Sequence, residues 1–386
     1  MPYVVNSIAI ILFAVASAVY FVRNRKIEKR TPDRISILLA SIFLWATLSL
    51  LWSVDIEESA EDLSSIISYI VLPIAFFLLG KKYPLNINRI LHVFAYFIAG
   101  MALFCLLAAI YRMLNGADIE VLFYHELSEQ LNGMNAIYLS LLTSFAFFTM
   151  ILKSKKSKVD YLLALFLFAF LFLLSSKIIV AATFFILLSI LIAKRKKKIS
   201  KTMKIIGVSG LLLAVISSVY IQERFQEEIE RTKISEIFST EAFGWDYEWS
   251  GADIRFLQLR AFLELAEEDQ MYWKGYGFKA SNKKLAEKHK EYKIYSKMIG
   301  INFHNQYLQI IAELGVVGLI LLLGIFFLLL RRSLKTRDLI LFSFTILVIS
   351  VCITESLLWR QRGMVFFIML SLLLYNFPNR RTEVAK

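Results

Sequence analysis

The sequence predicts an all-α fold: a polytopic transmembrane helix bundle of about 11 to 12 spans carrying one large helical loop. Three observations predict it. Of the 386 residues, 58% are hydrophobic, and the mean hydropathy is +0.61. Soluble globular chains stay closer to about 45–50% apolar. The excess stands in long blocks, with 11–22, 35–52, 91–110 and 162–174 nearly free of charge. The lysines and arginines collect in short clusters between such blocks, at 23–34, 153–158 and 194–204. Crossing a hydrocarbon core of about 30 Å takes about 20 apolar residues. No water is present there to satisfy the backbone, so each block must be a helix bonded to itself.

Spans are predicted at 4–22, 35–54, 64–80, 90–113, 132–152, 159–175, 177–193, 205–222, 304–330, 339–357 and 363–377. The charge between them fixes the orientation. If 23–34 is cytoplasmic, every second loop should be basic. The loops at 81–89, 153–158, 194–204 and 331–337 and the tail at 380–386 all are. On the opposite side, 55–62 is acidic and 115–131 holds no Lys or Arg apart from its flanks. The N-terminus is thereby expected outside and the C-terminus in the cytoplasm. The apolar stretch from Met1 has no basic leader and is taken as the first span, not a cleaved signal.

The chain is expected to divide into a bundle of about eight spans over 1–222, a large outer loop over 223–303 and further spans over 304–386. The loop mixes acids and bases without a sustained apolar run. An amphipathic helix is expected at 223–237. Ile254, Leu257, Ala261 and Leu265 mark one stripe of a second. Residues 273–277 form an aromatic turn, and 280–297 a Lys-rich helix or coil. A connection of this length is more often functional than idle.

The net charge of +13 does not point to nucleic acid, because it sits between apolar blocks rather than on a soluble face. Cys105 and Cys352 lie inside apolar blocks, as small core hydrophobes, and build no disulfide framework. His92, His125, His289 and His304 are scattered, and the loop has no clustered Asp-x-Asp, so no metal site is predicted.

His304 stands where the outer loop meets the ninth span. A neutral imidazole at that boundary can accept a proton near pH 7, or simply anchor the helix. Glu313 is about two and a half turns further in. A carboxylate there must be paired or face a polar cavity. Gly315 and Gly318 are expected to let a neighbouring helix approach. His125 beside Glu126 is either a sugar contact or a solvated pair. Trp245, Tyr247 and Trp249 fit an interfacial belt or a sugar-stacking platform. His92 and His289 are taken as structural.

His304-Asn305-x-x-Leu308, then Glu313-x-Gly315-x-x-Gly318 and an apolar run, resembles the signature of the bacterial O-antigen ligase and polymerase family. Arg255 in Asp253-Ile-Arg-Phe-Leu and Gly275-Tyr-Gly277 resemble the block preceding that histidine. Ser175-Ser176-Lys177 is similar to a Ser-Arg element of the family. Glu355-Ser356 and Gln361-Arg362-Gly363 are further likenesses. Three features depart from the pattern. Lys177 stands where Arg is common, no Pro precedes Gly275-x-Gly277, and eleven spans is one fewer than usual.

The resemblance implies a GT-C-like fold and a metal-independent, cofactor-free, inverting transfer. A glycan would move from a polyprenyl (undecaprenyl) diphosphate to a sugar acceptor at the periplasmic face of a bacterial inner membrane. His304 and Arg255 are the implied catalytic residues. Arg255 would meet the diphosphate through its guanidinium fork, and His304 would take the acceptor's proton. Lys177, Asn305, Arg360, Arg362, Arg260, Tyr276 and His125 are implied contacts to diphosphate or sugar. Glu313, Gly315 and Gly318 form a structural motif. The acceptor would be lipid A core in a ligase, or another lipid-linked glycan in a polymerase. Membrane lipids are the remaining partner, and no nucleic acid is implied. A protein-glycosylating transferase, a polysaccharide or lipid flippase, and a non-enzymatic envelope subunit are the competing readings. A transporter should show repeats and midplane ionisable groups, which are not evident.

Overall fold

The computed structural model describes residues 3–24, 31–81, 83–131, 133–153, 156–193, 234–244 and 247–377. The helices, in chain order, are α1 (Tyr3–Arg23), α2 (Arg34–Leu48), α3 (Ile56–Asp62), α4 (Ser68–Leu79) and α5 (Ile87–Leu114). Next come α6 (Tyr124–Ser128), α7 (Ala136–Leu152), α8 (Lys158–Leu173), α9 (Lys177–Ala193) and α10 (Ile234–Ser239). The rest are α11 (Gly251–Asp269), α12 (Ser281–Glu291), α13 (Gln306–Thr336), α14 (Leu339–Thr354) and α15 (Gln361–Asn376).

The protein is all-α. Among the described residues, five helical segments are long and apolar enough to cross a membrane: Val4–Arg23, Arg34–Trp52, Ile56–Leu79, Ile87–Leu114 and Gln306–Thr336. Shorter apolar helices are Ala136–Leu152, Lys177–Ala193, Leu339–Thr354 and Gln361–Asn376. The large region from residue 234 to 303 is helical but not membrane-like. The expected span at 205–222, the loop at 194–204 and the tail at 380–386 lie outside the described residues.

Two expectations change. The acidic stretch 55–62 is not a loop but α3, because Asp55 caps it by accepting from the Glu58 N–H at 3.3 Å. Acids in a first turn suit the positive end of the helix dipole. Residues 331–336 are also not a loop, since α13 runs through Arg331, Arg332 and Lys335 to Thr336. Cations near a helix C-terminus are favoured by the same dipole.

The chain forms two compact units that interleave in sequence. The first holds Met1–Tyr83, Gln226–Leu329 and Cys352–Asn376. Here α4 packs on α1 and α2, and α15 packs on both α2 and α4. Phe13 meets Phe76 at 5.2 Å between ring centroids. Asp33 starts α2 by accepting from the Ser36 N–H at 2.9 Å. The region from 234 to 303 has its own apolar core of Leu257, Ala261, Phe262, Leu265, Leu285 and Phe303, all buried. Full burial of each Leu or Phe is worth about 1.5–3 kcal/mol. Ser250 and Asp253 form a capping box that starts α11.

The second unit holds Pro84–Phe225, Leu330–Val351 and Phe377–Lys386. Here α7 packs on α5, α8 and α9. Phe145 sits between Phe94 and Phe344, at 5.6 Å from each. The carboxylate of buried Asp160 accepts from Lys153 Nζ at 2.9 Å and from the Tyr96 hydroxyl at 2.8 Å. The turn at Ser175–Ser176 separates α8 from α9, as the sequence suggests, with Ser175 at φ +50°.

Candidate active site

In the first unit the site grows from two helix ends. Glu355 follows the last turn of α14 and is 6% exposed. Its Oε1 lies 3.3 Å from Arg255 Nη2 and 3.7 Å from His304 Nδ1. Arg255 also donates through Nε to the Thr354 carbonyl at 3.2 Å and through Nη1 to the Gly251 carbonyl at 2.6 Å. A guanidinium has five N–H groups, so two remain for another acceptor. About a third of this side chain is exposed, and about a quarter of His304.

His304 adopts φ +47°, a left-handed conformation uncommon for residues other than glycine. Asn302 holds it there, its Oδ1 accepting the His304 N–H at 2.9 Å. Asn305 then caps α13, accepting from the Tyr307 and Leu308 N–H groups, and donates to the Ile353 carbonyl at 3.0 Å. The imidazole is thus locked at a helix entrance, with Nδ1 buried towards Glu355.

A polar lattice supports this corner. Glu313 Oε1 accepts from Gln309 Nε2 at 2.7 Å and from Trp359 Nε1 at 3.0 Å. Gln309 also accepts the Phe303 N–H, and Gln306 accepts the Leu358 N–H. The segment carrying Glu355 is therefore tied to α13 by side chains two turns apart. Lys279 Nζ lies 3.3 Å from the centroid of the Trp359 ring and 3.9 Å from Asp62. Burial pulls the Lys279 ammonium below the usual lysine range, opposed by the nearby Glu313 charge.

The two glycine blocks interlock. At Gly315 the backbone of α13 breaks, with φ +65° and ψ −165°. Residues 272–277 fill the break. The N–H groups of Tyr276 and Gly277 donate to the Ala312 and Glu313 carbonyls at 2.8 and 3.0 Å, and the Val316 N–H donates to Tyr272. Trp45 Nε1 takes the Leu314 carbonyl at 2.9 Å. A Cβ on Gly315 would lie 2.5 Å from the Trp273 carbonyl carbon, and one on Gly275 would meet the Glu313 carbonyl. Close approach is the role expected for Gly315, but the partner is a loop strand, not a helix. A Cβ on Gly318 would strike Leu314 and Ile310 of its own helix.

Several other candidates are occupied elsewhere. Arg260 donates to the Ile237 and Thr240 carbonyls, pairs with Glu264 at 2.7 Å and stacks on Tyr292. Tyr276 is buried, and its hydroxyl donates to Asp269 at 2.8 Å. Both make these contacts within the 234–303 region. Tyr247 and Trp249, both partly buried, pack on Phe243 at 5.0 Å each against that core. Trp245 lies outside the described residues. His289 is fully buried between Gln258 and the Gly300 N–H, and burial pulls it down to about 4, so it is neutral.

Arg360 is exposed and Arg362 half-buried at the start of α15, which Gln361 ties to Ser7 at 3.2 Å. Lys177 and His125 belong to the second unit. Lys177 begins α9 and is exposed. His125 accepts the Ala136 N–H at 3.3 Å, and Glu126 pairs with Arg112 at 2.8 Å. Among the described residues, no group of three His, Cys, Asp or Glu side chains is placed to hold a metal ion. Glu355 carries a sequence signal only as part of the Glu355-Ser356 likeness, and the roles of Gln309, Trp359 and Lys279 have none.

Residues 162–323 match the family model described as O-antigen ligase. The match includes Lys177, Arg255, His304 and the Glu313–Gly318 block. No curated protein matches the chain.

Proposed function

From the assignment to the O-antigen ligase family that this match supports, we propose that the chain is a ligase-type glycosyltransferase of the bacterial inner membrane. It takes a glycan from polyprenyl diphosphate and passes it to a sugar hydroxyl, in a ligase that of lipid A core, with the 234–303 region on the periplasmic side. The observation that carries this reading is the single Glu355 oxygen faced by both Arg255 and His304.

The acceptor hydroxyl oxygen attacks the anomeric carbon as its proton passes to the ring nitrogen of His304 that faces away from Glu355. A carboxylate beside the ring fixes its orientation and balances the charge gained. The bond from the anomeric carbon to the diphosphate oxygen breaks with inversion. The leaving diphosphate gathers negative charge, which fixed cations stabilise. Arg255 supplies that charge with its two spare N–H groups, aided by Arg360 and Arg362. Protein cations then do what a divalent ion does in other phosphoryl-leaving reactions.

The test is a purified, lipid-embedded chain given a polyprenyl-diphosphate-linked glycan with either lipid A core or a second lipid-linked glycan, in EDTA. Glycan found on lipid A core, with free polyprenyl diphosphate in equal amount, supports the proposal. Elongation of the second lipid-linked glycan would make the chain a polymerase. Intact donor moved across the bilayer without bond cleavage would overturn the transferase reading.

A further inference from the structure

The hook formed by residues 271–277 closes on itself through the Gly275 N–H, which donates to the Met271 carbonyl at 2.8 Å. Its backbone is bonded to the break at Gly315 at Tyr272, Tyr276 and Gly277. Its side chains are not. Trp273 is 65% exposed, Tyr272 is 40% exposed and Lys274 is exposed. Large aromatics left bare on a bonded, ordered turn need a partner of matching chemistry.

Depth identifies the partner. From Arg331, the first cation near the far end of α13, back to Gly315 the helix rises about 24 Å. A bilayer core is about 30 Å thick, so Gly315 falls near its edge. A second helix gives the same level. The Arg34–Trp52 span is 19 residues long and ends at Trp52, whose Nε1 donates to the Lys274 carbonyl at 3.1 Å. Trp45, about 10 Å deeper along that helix, holds the Leu314 carbonyl. The hook is therefore bonded at Lys274 and Tyr276 to Trp52 and Val54, at the end of that span. Irregular backbone at that depth is tolerated where protein satisfies its polar groups, as α13 and Trp52 do for Tyr272, Lys274, Tyr276 and Gly277.

We propose that residues 271–277 form a membrane-interface anchor: Tyr272 and Trp273 seat in the boundary between headgroups and acyl chains of the bilayer, and Lys274 reaches the lipid phosphates. Trp and Tyr favour that boundary because one end of each ring is apolar and the other can donate a hydrogen bond. Lys extends its stem through the apolar layer with its ammonium in the polar one. The anchor fixes the 234–303 region to the lipid surface through the same hook that closes the Gly315 break. It does not depend on which reaction the chain performs.

The experiment uses the full chain in phosphatidylcholine nanodiscs, with or without bromine near the carbonyl end of the acyl chains. The chain has six tryptophans, so Trp273 emission is read as the difference between wild type and Trp273→Phe. The expected result is that this difference emission loses its larger part in brominated lipid and little to aqueous iodide. Quenching by iodide alone, or by neither agent, would overturn the anchor. A second variant, Trp273→Cys carrying a nitroxide, should collide more with oxygen than with a water-soluble nickel chelate. The reverse order would overturn the proposal independently. Cys105 and Cys352 are buried and leave the new thiol as the labelled one among the described residues.

Discussion

Gly315→Ala should unseat the hook. At φ +65° and ψ −165° only glycine is at ease, and a side chain there costs about 1–3 kcal/mol in backbone strain. The added carbon would also lie 2.5 Å from the Trp273 carbonyl carbon, so the hook must move. Moving it disturbs four hydrogen bonds, those of Tyr276, Gly277, Val316 and Trp52. Each contributes about 1 kcal/mol net. The sum is about 5–7 kcal/mol, a large share of a typical folding stability of about 5–15 kcal/mol. The apparent midpoint of thermal unfolding should fall on the order of 10 °C. The assay is thermal unfolding in detergent, followed by size-exclusion retention. Gly100→Ala is the control, because a Cβ there meets nothing within 4 Å and α5 gains helix propensity. A Gly315→Ala protein as stable as the control would refute the interlock.

Further outcomes follow from the same contacts. Glu355→Gln should leave a folded protein whose transfer rate is down about 100-fold, since the ring and guanidinium lose their shared charge; unchanged turnover would separate Glu355 from the chemistry. Arg260→Ala should destabilise the 234–303 region by about 2–3 kcal/mol, measured as faster proteolysis there, because two carbonyls and Glu264 lose their donor. For His289, the unfolded chain takes up a proton near 6.5 and the folded chain not until about 4. Stability should therefore be complete above 6.5 and be lost as pH falls towards 4, by about 3 kcal/mol in all. Between pH 6.5 and 5 the drop should be largely this one, because Glu264 and Asp269 are held below their usual range despite burial, by hydrogen bonds from Arg260 and Tyr276. Unfolding at those two pH values in wild type and His289→Gln reads the difference.

What the sequence reveals here depends on distance along the chain. The apolar blocks give the helices almost directly, because a spanning helix satisfies its own backbone and needs no distant partner. The stripe of Leu257, Ala261 and Leu265 is likewise legible, and it faces the core of the 234–303 region. The acidic run at 55–62 misleads, because charge predicts exposure and not backbone conformation, and its cap is one local bond. The site is legible in its parts. His304 stands at the mouth of α13 and Arg255 in the first turns of α11, and both candidates come from short motifs. Their meeting is not legible, because it runs through Glu355, about a hundred residues from one and fifty from the other. Arg260 and Tyr276 look like ligands in sequence because they are polar and close to the motif. Only packing reveals that Arg260 holds the Ile237 and Thr240 carbonyls and Glu264, and that Tyr276 donates to Asp269.

The most direct test of the central claim is the release of polyprenyl diphosphate by wild type, His304→Asn and Arg255→Ala with the productive acceptor. Asn tolerates the left-handed backbone at position 304, so that variant removes the ring without disturbing the entrance to α13. With thermal unfolding confirming that each variant is folded, both should release polyprenyl diphosphate at least about 100-fold more slowly than wild type. Wild-type rates from either folded variant would contradict the account.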